Sequence, residues 1–482
     1  MDTQADRLLS QARAWAAAGE AERALAAFSD YLCLRPQDAE VWSEQAGLQA
    51  ALHLWDRAET SARRALALDP GHVSAGYQLG LARLRQGDPQ DAAEQFRHVM
   101  SRHPEHAEAC VALAECHLQG RDWSGAEQLL RGALPRLKGE ARAHQILTQI
   151  LYGEGRWDAY LEELDRFSQF HPDAPRLGFE RAYLNLLQGR MPMGWQQYED
   201  RLAEPGLVTP ARSFEQPRWQ GESFQGKTIL VHYEQGFGDT LMLVRYLPLV
   251  KARGGRVLLL VQPQMAYLMT TLQGPDHILP QGDPLPDFDL HISLFSLPAV
   301  FQTRLDTIPA EVPYLGIPRS VPNRDAIAHR LAASEGRIRI GLVWGGNPGH
   351  ARDWERSVPV SLLLPLGQLP NVAWHSFQRG RTDRPDLPGL VDLEPLLQTF
   401  SDSAYALSGM DLLITVDTAI AHLAGALGVP TLLLITHAPD FRWMLHRSDS
   451  PWYPTMRIYR QPGPGCWAPV LDQVLRDLSG AD

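Results

Sequence analysis

The first two hundred residues carry apolar side chains at the spacing of amphipathic helices, and this helical pattern itself recurs. The segments AEVWSEQAGLQAALHL and WDRAETSARRALALDP place apolar residues about three and four positions apart, which predicts helices that pack one face against a neighbour. Small residues and prolines return at intervals of 34 residues or a multiple of 34. These positions are Ala24, Ala58, Ala92, Ala126 and Gly194, and Pro36, Pro70, Pro104 and Pro172.

The recurring residues predict a stack of helix pairs. A small residue lets the two helices of a pair approach closely, and the proline ends the second helix because it lacks an N–H group and clashes with the preceding turn. We expect five pairs and a sixth, degenerate pair that ends near Gly206. Stacked pairs form an extended groove, so we expect a protein partner there; a spacer or a dimerisation module is the alternative.

From Lys227 onward the pattern changes to short, continuously apolar runs separated by helical stretches. TILVHY, RVLLLVQP and LHISLF predict strands before a Pro-rich stretch at 309–322, and RIRIGLVW, NVAWHSF, DLLITV and TLLLIT predict strands after it. Such runs suit parallel strands that are covered on both faces, and their alternation with helices suits doubly wound sheets. The Pro-rich break predicts two lobes, with ligands at the carboxyl ends of the strands.

The sequence therefore predicts an α + α/β protein in four segments. These are an N-terminal α-solenoid over residues 1–205, a linker over 206–226, a first α/β lobe over 227–320 and a second lobe over 321–482.

Composition and charge narrow the functional classes. The net charge of −11 argues against a general nucleic-acid binder, which usually carries a basic excess. The four cysteines are scattered without a C-x-x-C pair, so neither a disulfide framework nor a zinc site is expected. The N-terminus lacks the apolar core of a signal peptide, and no run of about 18 apolar residues occurs. We therefore expect a cytoplasmic protein without a membrane span.

Two Gly-containing loops are candidates for ligand binding. In the first, GFGD, Gly236 and Gly238 allow a ligand close to the backbone, and Asp239 is either a helix cap or a general base. In the second, a strand ends at 345–347 and a polar loop with Arg352 and Arg356 follows. Guanidinium groups and backbone N–H groups suit phosphates, although a solvated loop would show the same composition.

The segment DLLITVDTAIAHLAGALGVPTLLL runs from strand to helix to strand and carries the strongest of these signals. Thr418 stands at the helix start, where unpaired N–H groups and the helix dipole favour anions. His422 lies one turn further along the helix. As alternatives, Asp417 is an N-cap and His422 a buried core histidine.

A later loop, THAPDFRWMLHRSDSPWYP, groups Asp440 and Arg442 with several aromatic residues. Aromatic faces and arginine can hold a base or a sugar ring. Alternatively, the aromatic residues cover the end of a sheet.

These motifs carry a family resemblance. The first two hundred residues resemble tetratricopeptide repeats. EQGFGDTLMLVRY and VDTAIAHLAGALGVPT resemble the heptosyltransferase-related glycosyltransferases of family 9, which have the GT-B fold of two Rossmann-like lobes. With RMPMGWQQYEDR and SPWYPTMRIYRQ, the whole chain is similar to bacterial tetratricopeptide–glycosyltransferase fusions, including those that modify flagellin.

The resemblance implies a role for each candidate residue. Asp239 would be the base near the acceptor, and Gly236, Gly238, Asp440 and Arg442 would lie in the loops of the cleft. Arg352 or Arg356 would replace the lysine that neutralises the donor phosphates in heptosyltransferases. The implied donor-binding residues are Trp344, Gly345, Asn347, Arg352, Arg356, Gln378, Asp417, Thr418 and His422.

The implied reaction is the transfer of a sugar from a nucleotide-sugar co-substrate, without a metal or other cofactor, to an acceptor that is a protein such as flagellin. Asp287-Phe288-Asp289 is a D-x-D sequence of the kind that binds a metal, but it reads more simply as a polar turn before a strand. The alternative function is an inactive scaffold or a nucleotide-sugar sensor.

Overall fold

The computed structural model describes residues 2–137, 139–204, 206–349 and 353–480. The chain divides into two compact units. One comprises Met1–Tyr152 and Arg156–Pro172, and the other comprises Gly153–Gly155 and Asp173–Asp482. The helices between residues 173 and 204 therefore belong with the second unit. In the described part of the chain, no helix combines the length and apolarity needed to cross a membrane.

The first unit is a succession of helix hairpins, as the 34-residue period predicts. Its helices are α1 (Asp2–Ala17), α2 (Ala21–Leu34), α3 (Ala39–Ala51), α4 (Trp55–Leu68), α5 (Val73–Arg85), α6 (Pro89–Arg102), α7 (Ala107–Gln119), α8 (Trp123–Leu137), α9 (Ala141–Gly153) and α10 (Trp157–Phe170). Each of the pairs α1–α2, α3–α4, α5–α6 and α7–α8 packs together, and α2, α4 and α6 pack against the first helix of the next pair.

The recurring residues have the predicted roles. The alanines at 24, 58, 92 and 126 are completely buried. Gly80 allows close packing, because a β-carbon there would lie 2.6 Å from the ring of Phe96. Pro36, Pro70, Pro104 and Pro172 each stand two residues beyond the end of the second helix of a pair. The predicted helical repeats are confirmed.

The second unit begins with a further helix hairpin and continues into two parallel sheets. The strands of the first lobe are β1 (Thr228–His232), β2 (Arg256–Val261), β3 (His277–Pro280) and β4 (Leu290–Ser293), in the order β3-β2-β1-β4. Those of the second lobe are β5 (Ile338–Val343), β6 (Val372–Ser376), β7 (Val391–Asp392), β8 (Leu412–Val416), β9 (Thr431–Ile435) and β10 (Met456–Arg460), in the order β10-β9-β8-β5-β6-β7. Neighbouring strands run parallel in both lobes, as the continuous apolar runs predict.

The helices of this unit cover the sheets and form the hairpin that precedes them. They are α11 (Pro175–Leu187), α12 (Met191–Tyr198), α13 (Phe237–Leu243), α14 (Leu247–Lys251), α15 (Ala266–Met269), α16 (Leu297–Val300), α17 (Arg324–Ala332), α18 (Asp353–Arg356), α19 (Phe400–Ser408), α20 (Ala419–Leu427) and α21 (Ala468–Ser479).

Residues 206–226, predicted as a linker, pack on the first lobe instead. Trp219 is completely buried, and its backbone N–H donates to the carbonyl oxygen of His291 in β4 at 2.9 Å. The segment mixes polar and apolar residues, and two buried aromatic side chains, Trp219 and Phe224, provide the apolar surface that anchors it.

The order of the strands determines where a ligand can lie. In the second sheet the chain winds in one direction from β5 and in the other from β8, so the loops after these two adjacent strands diverge and leave a crevice between them. In the first sheet the same reversal lies between β1 and β4. The loops after β1, β5 and β8 contain three of the predicted motifs, and the fourth follows β9.

Candidate functional site

A cleft of about 940 Å³ lies between the two lobes of the second unit. The first lobe contributes the turn after β1 and Gln264. The second lobe contributes the loops after β5 and β6 and the starts of α19 and α20. Lining residues from the predicted motifs are Gly236, Gly238, Gly345, Gly346, Asn347, Arg356, Gln378 and Thr418.

The start of α20 presents backbone N–H groups to this cleft. Thr418 is the N-cap in an extended conformation (φ −145°, ψ 170°), and its side chain does not bond back to the helix. The first helical bond runs from the Ala421 N–H to the Thr418 carbonyl oxygen at 3.0 Å, so the N–H groups of Ala419 and Ile420 precede it. Both residues line the cleft. Together with the helix dipole, they form an anion-binding geometry.

The loop after β5 is held by Gln378, which follows β6. The side-chain oxygen of Gln378 accepts the N–H groups of Trp344 (3.0 Å) and Gly345 (2.8 Å), and its amide nitrogen donates to the carbonyl oxygens of Gly345 and Arg379, both at 3.1 Å. All its hydrogen-bonding capacity is used by the backbone. Gln378 therefore shapes the loop rather than offering a free amide to a ligand.

Arginine side chains supply the positive charge at this edge. Arg356 lines the cleft beside Gly346, where a β-carbon would lie 2.5 Å from Nε of Arg356, and Arg379 is exposed on the same wall. Arg381 braces the loop from behind, through Asp353 at 2.9 Å and Asp383 at 2.9 Å. Arg352, the other predicted phosphate ligand, lies outside the described residues.

The GFGD turn contributes its backbone to the cleft and its carboxylate to an ion pair. Asp239 accepts the N–H group of Gly236 at 2.7 Å, and its other oxygen pairs with the guanidinium group of Arg442. Burial raises the pKa of Asp239 above its usual value, although Arg442 and the Gly236 N–H group oppose that shift. The carboxylate thus caps α13 and also joins the two lobes.

His422 lies behind the cleft in a packed aromatic environment. Its Nδ1 lies 2.8 Å from the hydroxyl oxygen of Tyr453, and its ring stacks on Trp443 with centroids 5.2 Å apart. Burial, with the positive charge of Arg442, lowers the pKa of His422 to about 3. The imidazole is therefore neutral near pH 7, and its 3.9 Å approach to Asp417 is not an ion pair.

Asp417 and Asp440 are neighbouring carboxyl groups with opposite pKa shifts. Burial and the charge of Asp440 raise the pKa of Asp417 to about 6. Burial would also raise the pKa of Asp440, but Arg442, the backbone N–H of Arg442 and the hydroxyl group of Tyr183 together lower it. Asp440 therefore carries the stable negative charge of this cluster.

Trp344, expected among the donor-binding residues, instead lies in the hydrophobic core of the second lobe. It is 1% exposed and packs with Leu342, Val358 and Trp374. It directly follows an apolar strand, and the alternation of side chains sends its indole inward.

Asp289 of the D-x-D sequence links the starts of the neighbouring strands β1 and β4. Its carboxylate accepts the N–H group of Thr228 in β1 at 2.7 Å, as expected for a polar turn before a strand. Within the described part of the chain, no three His, Cys, Asp or Glu side chains are grouped so that they could hold a metal ion.

Several residues of the cleft were not predicted from the sequence. Phe237 and Phe400 face each other across it with ring centroids 5.0 Å apart. Other such lining residues are Arg379, Glu394, Gln398, Thr399 and Ser403. Thr399 had a local signal, since Thr399 and Asp402 form a capping box at the start of α19, to which Phe400 and Ser403 belong. Phe237 stands inside the GFGD motif but was not singled out, and Arg379, Glu394 and Gln398 follow short strands with no motif.

Comparisons with known proteins bear on both halves. The family model of the tetratricopeptide repeat matches residues 83–150. Protein FlbA of Caulobacter vibrioides is 25% identical over 490 aligned residues, which cover 86% of this chain and 80% of FlbA.

Among solved structures, a tetratricopeptide repeat protein from Parabacteroides merdae is 16% identical over 42% of this chain and 80% of its own, with a TM-score of 0.37. PilF of Pseudomonas aeruginosa is 16% identical over 42% of this chain and 90% of its own, with a TM-score of 0.36. The family-model match shows tetratricopeptide repeats, a protein-interaction module, in the N-terminal region, and FlbA is a distant homologue over 86% of the chain.

Proposed function

We propose that the second unit is a GT-B-type glycosyltransferase that moves a sugar from a nucleotide-sugar donor to an acceptor hydroxyl group. The observation that carries the proposal is the cleft between two parallel lobes, where the start of α20 and Arg356 lie in one wall and the GFGD turn in the other. A phosphate-binding wall and a carboxylate-bearing wall are the two parts that such a transfer needs.

The donor diphosphate would bind at the start of α20. The N–H groups of Ala419 and Ile420 and the guanidinium group of Arg356 would neutralise it as it leaves. Charge-assisted hydrogen bonds of this kind contribute about 1.5–3 kcal/mol each, and the helix end adds about 0.3–2 kcal/mol. Because these groups supply positive charge, the proposed transfer needs no divalent metal.

On the opposite wall Asp239 would accept the proton of the acceptor hydroxyl group. The hydroxyl oxygen forms the new bond to the anomeric carbon, the bond from that carbon to the phosphate oxygen breaks, and the diphosphate leaves with the electron pair. The raised pKa of Asp239 favours proton uptake. For this step the acceptor must reach a carboxylate that is 19% exposed beside Gly236 and Gly238.

The acceptor would be a protein, such as a flagellin, that the repeat array binds. The support for a protein is the array itself, because stacked helix hairpins serve mainly as protein-binding surfaces.

One observation favours a second function, the binding of a nucleotide sugar without turnover. Both oxygens of Asp239 already have partners, in Gly236 and Arg442. If the carboxylate never leaves Arg442, the unit is a sensor or a scaffold.

The test begins with the intact chain and nucleotides. A thermal-shift series with UDP, GDP, ADP and CMP, followed by their labelled sugars, should raise the melting temperature with one nucleotide class, because a ligand at about 100 times its Kd stabilises by about 2.7 kcal/mol. Labelled sugar should then appear on a protein of the cell extract. Binding without label transfer would favour the sensor, and the absence of any stabilising nucleotide would overturn both functions.

A matched pair of variants locates the donor. Arg356→Gln should weaken nucleotide binding by roughly 10- to 100-fold, which corresponds to one lost charged hydrogen bond. Arg384→Gln is the control, since Arg384 is 51% exposed in the same lobe and pairs with Asp392. Equal affinities for Arg356→Gln and wild type, measured by calorimetry, would remove Arg356 from the site.

A further inference from the structure

We propose that Tyr183, in the hairpin α11–α12, is a positioning residue for the Asp239 carboxylate and acts through Asp440 and Arg442. The inference rests on the proposed function, in which Asp239 is the base. It concerns a residue of the last helix pair before the two lobes, in a stretch where the sequence predicts a partner-binding role.

The contacts form a continuous chain within the second unit. The hydroxyl group of Tyr183 donates to Oδ2 of Asp440 at 2.7 Å. The other oxygen of Asp440 accepts Nη1 of Arg442 at 2.6 Å and the backbone N–H of Arg442 at 3.0 Å. The second terminal nitrogen of Arg442 pairs with Asp239. One guanidinium group is thus divided between two carboxylates, and the tyrosine bonds to one of them.

The hairpin also holds the backbone that carries Arg442. The ring of Tyr183 packs edge-on against Phe441 with centroids 5.1 Å apart, and the N–H group of Leu445 donates to the carbonyl oxygen of Leu187 at 3.1 Å. Gly189 leaves room for Met444, whose Cε would lie 2.8 Å from a β-carbon at that position.

This support matters because the segment after Arg442 is not in a locally preferred conformation. Met444 has a φ of 53° and His446 a φ of 56°, a left-handed region that side chains larger than glycine rarely adopt. Such a backbone persists only where its surroundings hold it. The surroundings here include α11 and the turn that follows it.

The charges around Asp239 give the expected direction of change. It is faced by Arg442 and Asp440 from the segment after β9, by Glu234 from the turn after β1, and by the N–H group of Gly236. Tyr198 of α12 also interacts with it and stays neutral, because burial raises the pKa of the tyrosine. His422 lies on α20, which packs against α13, and is neutral near pH 7. Glu234 is paired with Arg201 at 2.7 Å. Arg442 is therefore the cation whose positive charge can shift between Asp239 and Asp440.

Two substitutions should therefore move the pKa of Asp239 in opposite directions. Tyr183→Phe removes only a hydroxyl group. Without that hydrogen bond, Asp440 attracts the guanidinium group of Arg442 more strongly. Less positive charge then faces Asp239, so the pKa of Asp239 rises. Asp440→Asn removes a negative charge and leaves Arg442 to Asp239 alone, so the pKa of Asp239 falls.

The matched control is Tyr459→Phe. The hydroxyl group of Tyr459 donates to Asp477 at 2.6 Å in the same lobe, between β10 and α21. It has the same Tyr–Asp geometry, but it lies outside the chain of contacts that leads to Asp239.

The experiment follows the carboxyl carbon of Asp239 by ¹³C NMR in the intact chain, with aspartate labelling and Asp239→Asn to assign the signal. We expect a rise of roughly half a pH unit or more in Tyr183→Phe, a fall of similar size in Asp440→Asn, and no change in Tyr459→Phe. In a transfer assay, the loss of the hydroxyl group that holds this chain of contacts should misplace the Asp239 carboxylate. Tyr183→Phe should therefore lower kcat roughly fivefold or more, despite the higher pKa of that carboxylate, and leave the donor Kd within about twofold.

An unchanged Asp239 titration in Tyr183→Phe, or shifts of the same sign in both variants, would overturn the inference. Because Tyr183→Phe keeps the ring that packs against Phe441, we expect this variant to fold as the wild type does. A wild-type chain that binds no nucleotide and transfers no sugar would instead overturn the proposed function, and the titration would still report whether Tyr183 positions Asp239.

Discussion

Gly238 lies where α13 of the first lobe passes α20 of the second, and an alanine there tests that contact. The added methyl carbon would lie 2.7 Å from Cδ2 and 3.3 Å from Nε2 of His422. The imidazole cannot turn aside freely, because it is bonded to the hydroxyl group of Tyr453 at 2.8 Å and stacked on Trp443. Gly238→Ala must therefore move either the helix or the ring.

The expected cost follows from these distances. Ordinary contact begins near 3.4 Å, so the two groups must separate by about 0.7 Å. Overpacking on this scale costs about 1–3 kcal/mol, and the loss of the Tyr453 hydrogen bond would add about 1 kcal/mol. We expect the free energy of unfolding to fall by about 2 kcal/mol and the melting temperature by roughly 3 °C.

The assay is urea and thermal unfolding of the intact chain, arranged as a double-mutant cycle with His422→Ala. Truncating the ring makes room, so the cost of Gly238→Ala should fall by about 1 kcal/mol or more in that background. Gly316→Ala is the control, because its added methyl group would meet only Thr271, at 3.8 Å. An undiminished cost in the His422→Ala background would show that the ring is not the obstacle, and a Gly238→Ala variant as stable as wild type would refute the packing of α13 on α20.

Four other outcomes are expected. Asp239→Asn should leave the donor Kd nearly unchanged and lower transfer by roughly 10²-fold or more; a wild-type rate in the transfer assay would reduce Asp239 to a helix cap. Transfer should persist in EDTA, and a loss that Mn²⁺ or Mg²⁺ restores would contradict the proposed metal independence. Arg201→Met leaves the buried carboxylate of Glu234 without its bidentate partner and should lower the free energy of unfolding by about 3–5 kcal/mol. Adding Glu234→Gln should recover part of this loss, and the denaturant midpoints of the single and double variants measure the two effects. Folding raises the pKa of Asp417 to about 6, so protonation of this carboxyl group stabilises the folded state; the stability is fully present below the pKa of Asp417 in the unfolded chain and is lost as the pH rises through 6. The neutral side chain of Asp417→Asn avoids this loss, so the variant should gain stability over wild type between about pH 4 and pH 6. A melting-temperature difference that does not grow with pH would contradict this.

The helical repeats were the most predictable part of the fold. Each repeat places a small residue where two helices touch, and Ala24 and Ala58 are buried for that reason. The requirement is local and periodic, so the sequence displays it directly. The apolar strands were equally visible, because burial on both faces leaves continuous runs.

Three strands at sheet edges were missed, because that condition fails there: β3 (His277–Pro280) in the first sheet, and β7 and β10 in the second. The segment Met456–Arg460 forms β10 at the edge of the second sheet, and alternation of apolar and charged residues there made it look like a loop. The two-residue β7 forms the other edge and is too short to show any period.

The motifs of the site were found, but the partners of their side chains were not. The sequence places Asp239 at a helix start, yet its counter-ion Arg442 is 203 residues away. The same holds for His422 and Tyr453, which are 31 residues apart. The first pair depends on how the two lobes close on each other, and the second on how α20 packs against the segment before β10; no local spacing records either.

The membership of α11 and α12 in the second unit has a practical consequence for exchanging recognition between proteins of this architecture. A graft that replaces the array up to residue 205 would remove Tyr183 and Arg201, together with the contacts that fix the segment after β9. A graft that joins the new array at residue 172 keeps both. If such chains diversify by swapping arrays, the crossover point should lie before the last hairpin, and that hairpin should descend with the two lobes rather than with the repeats.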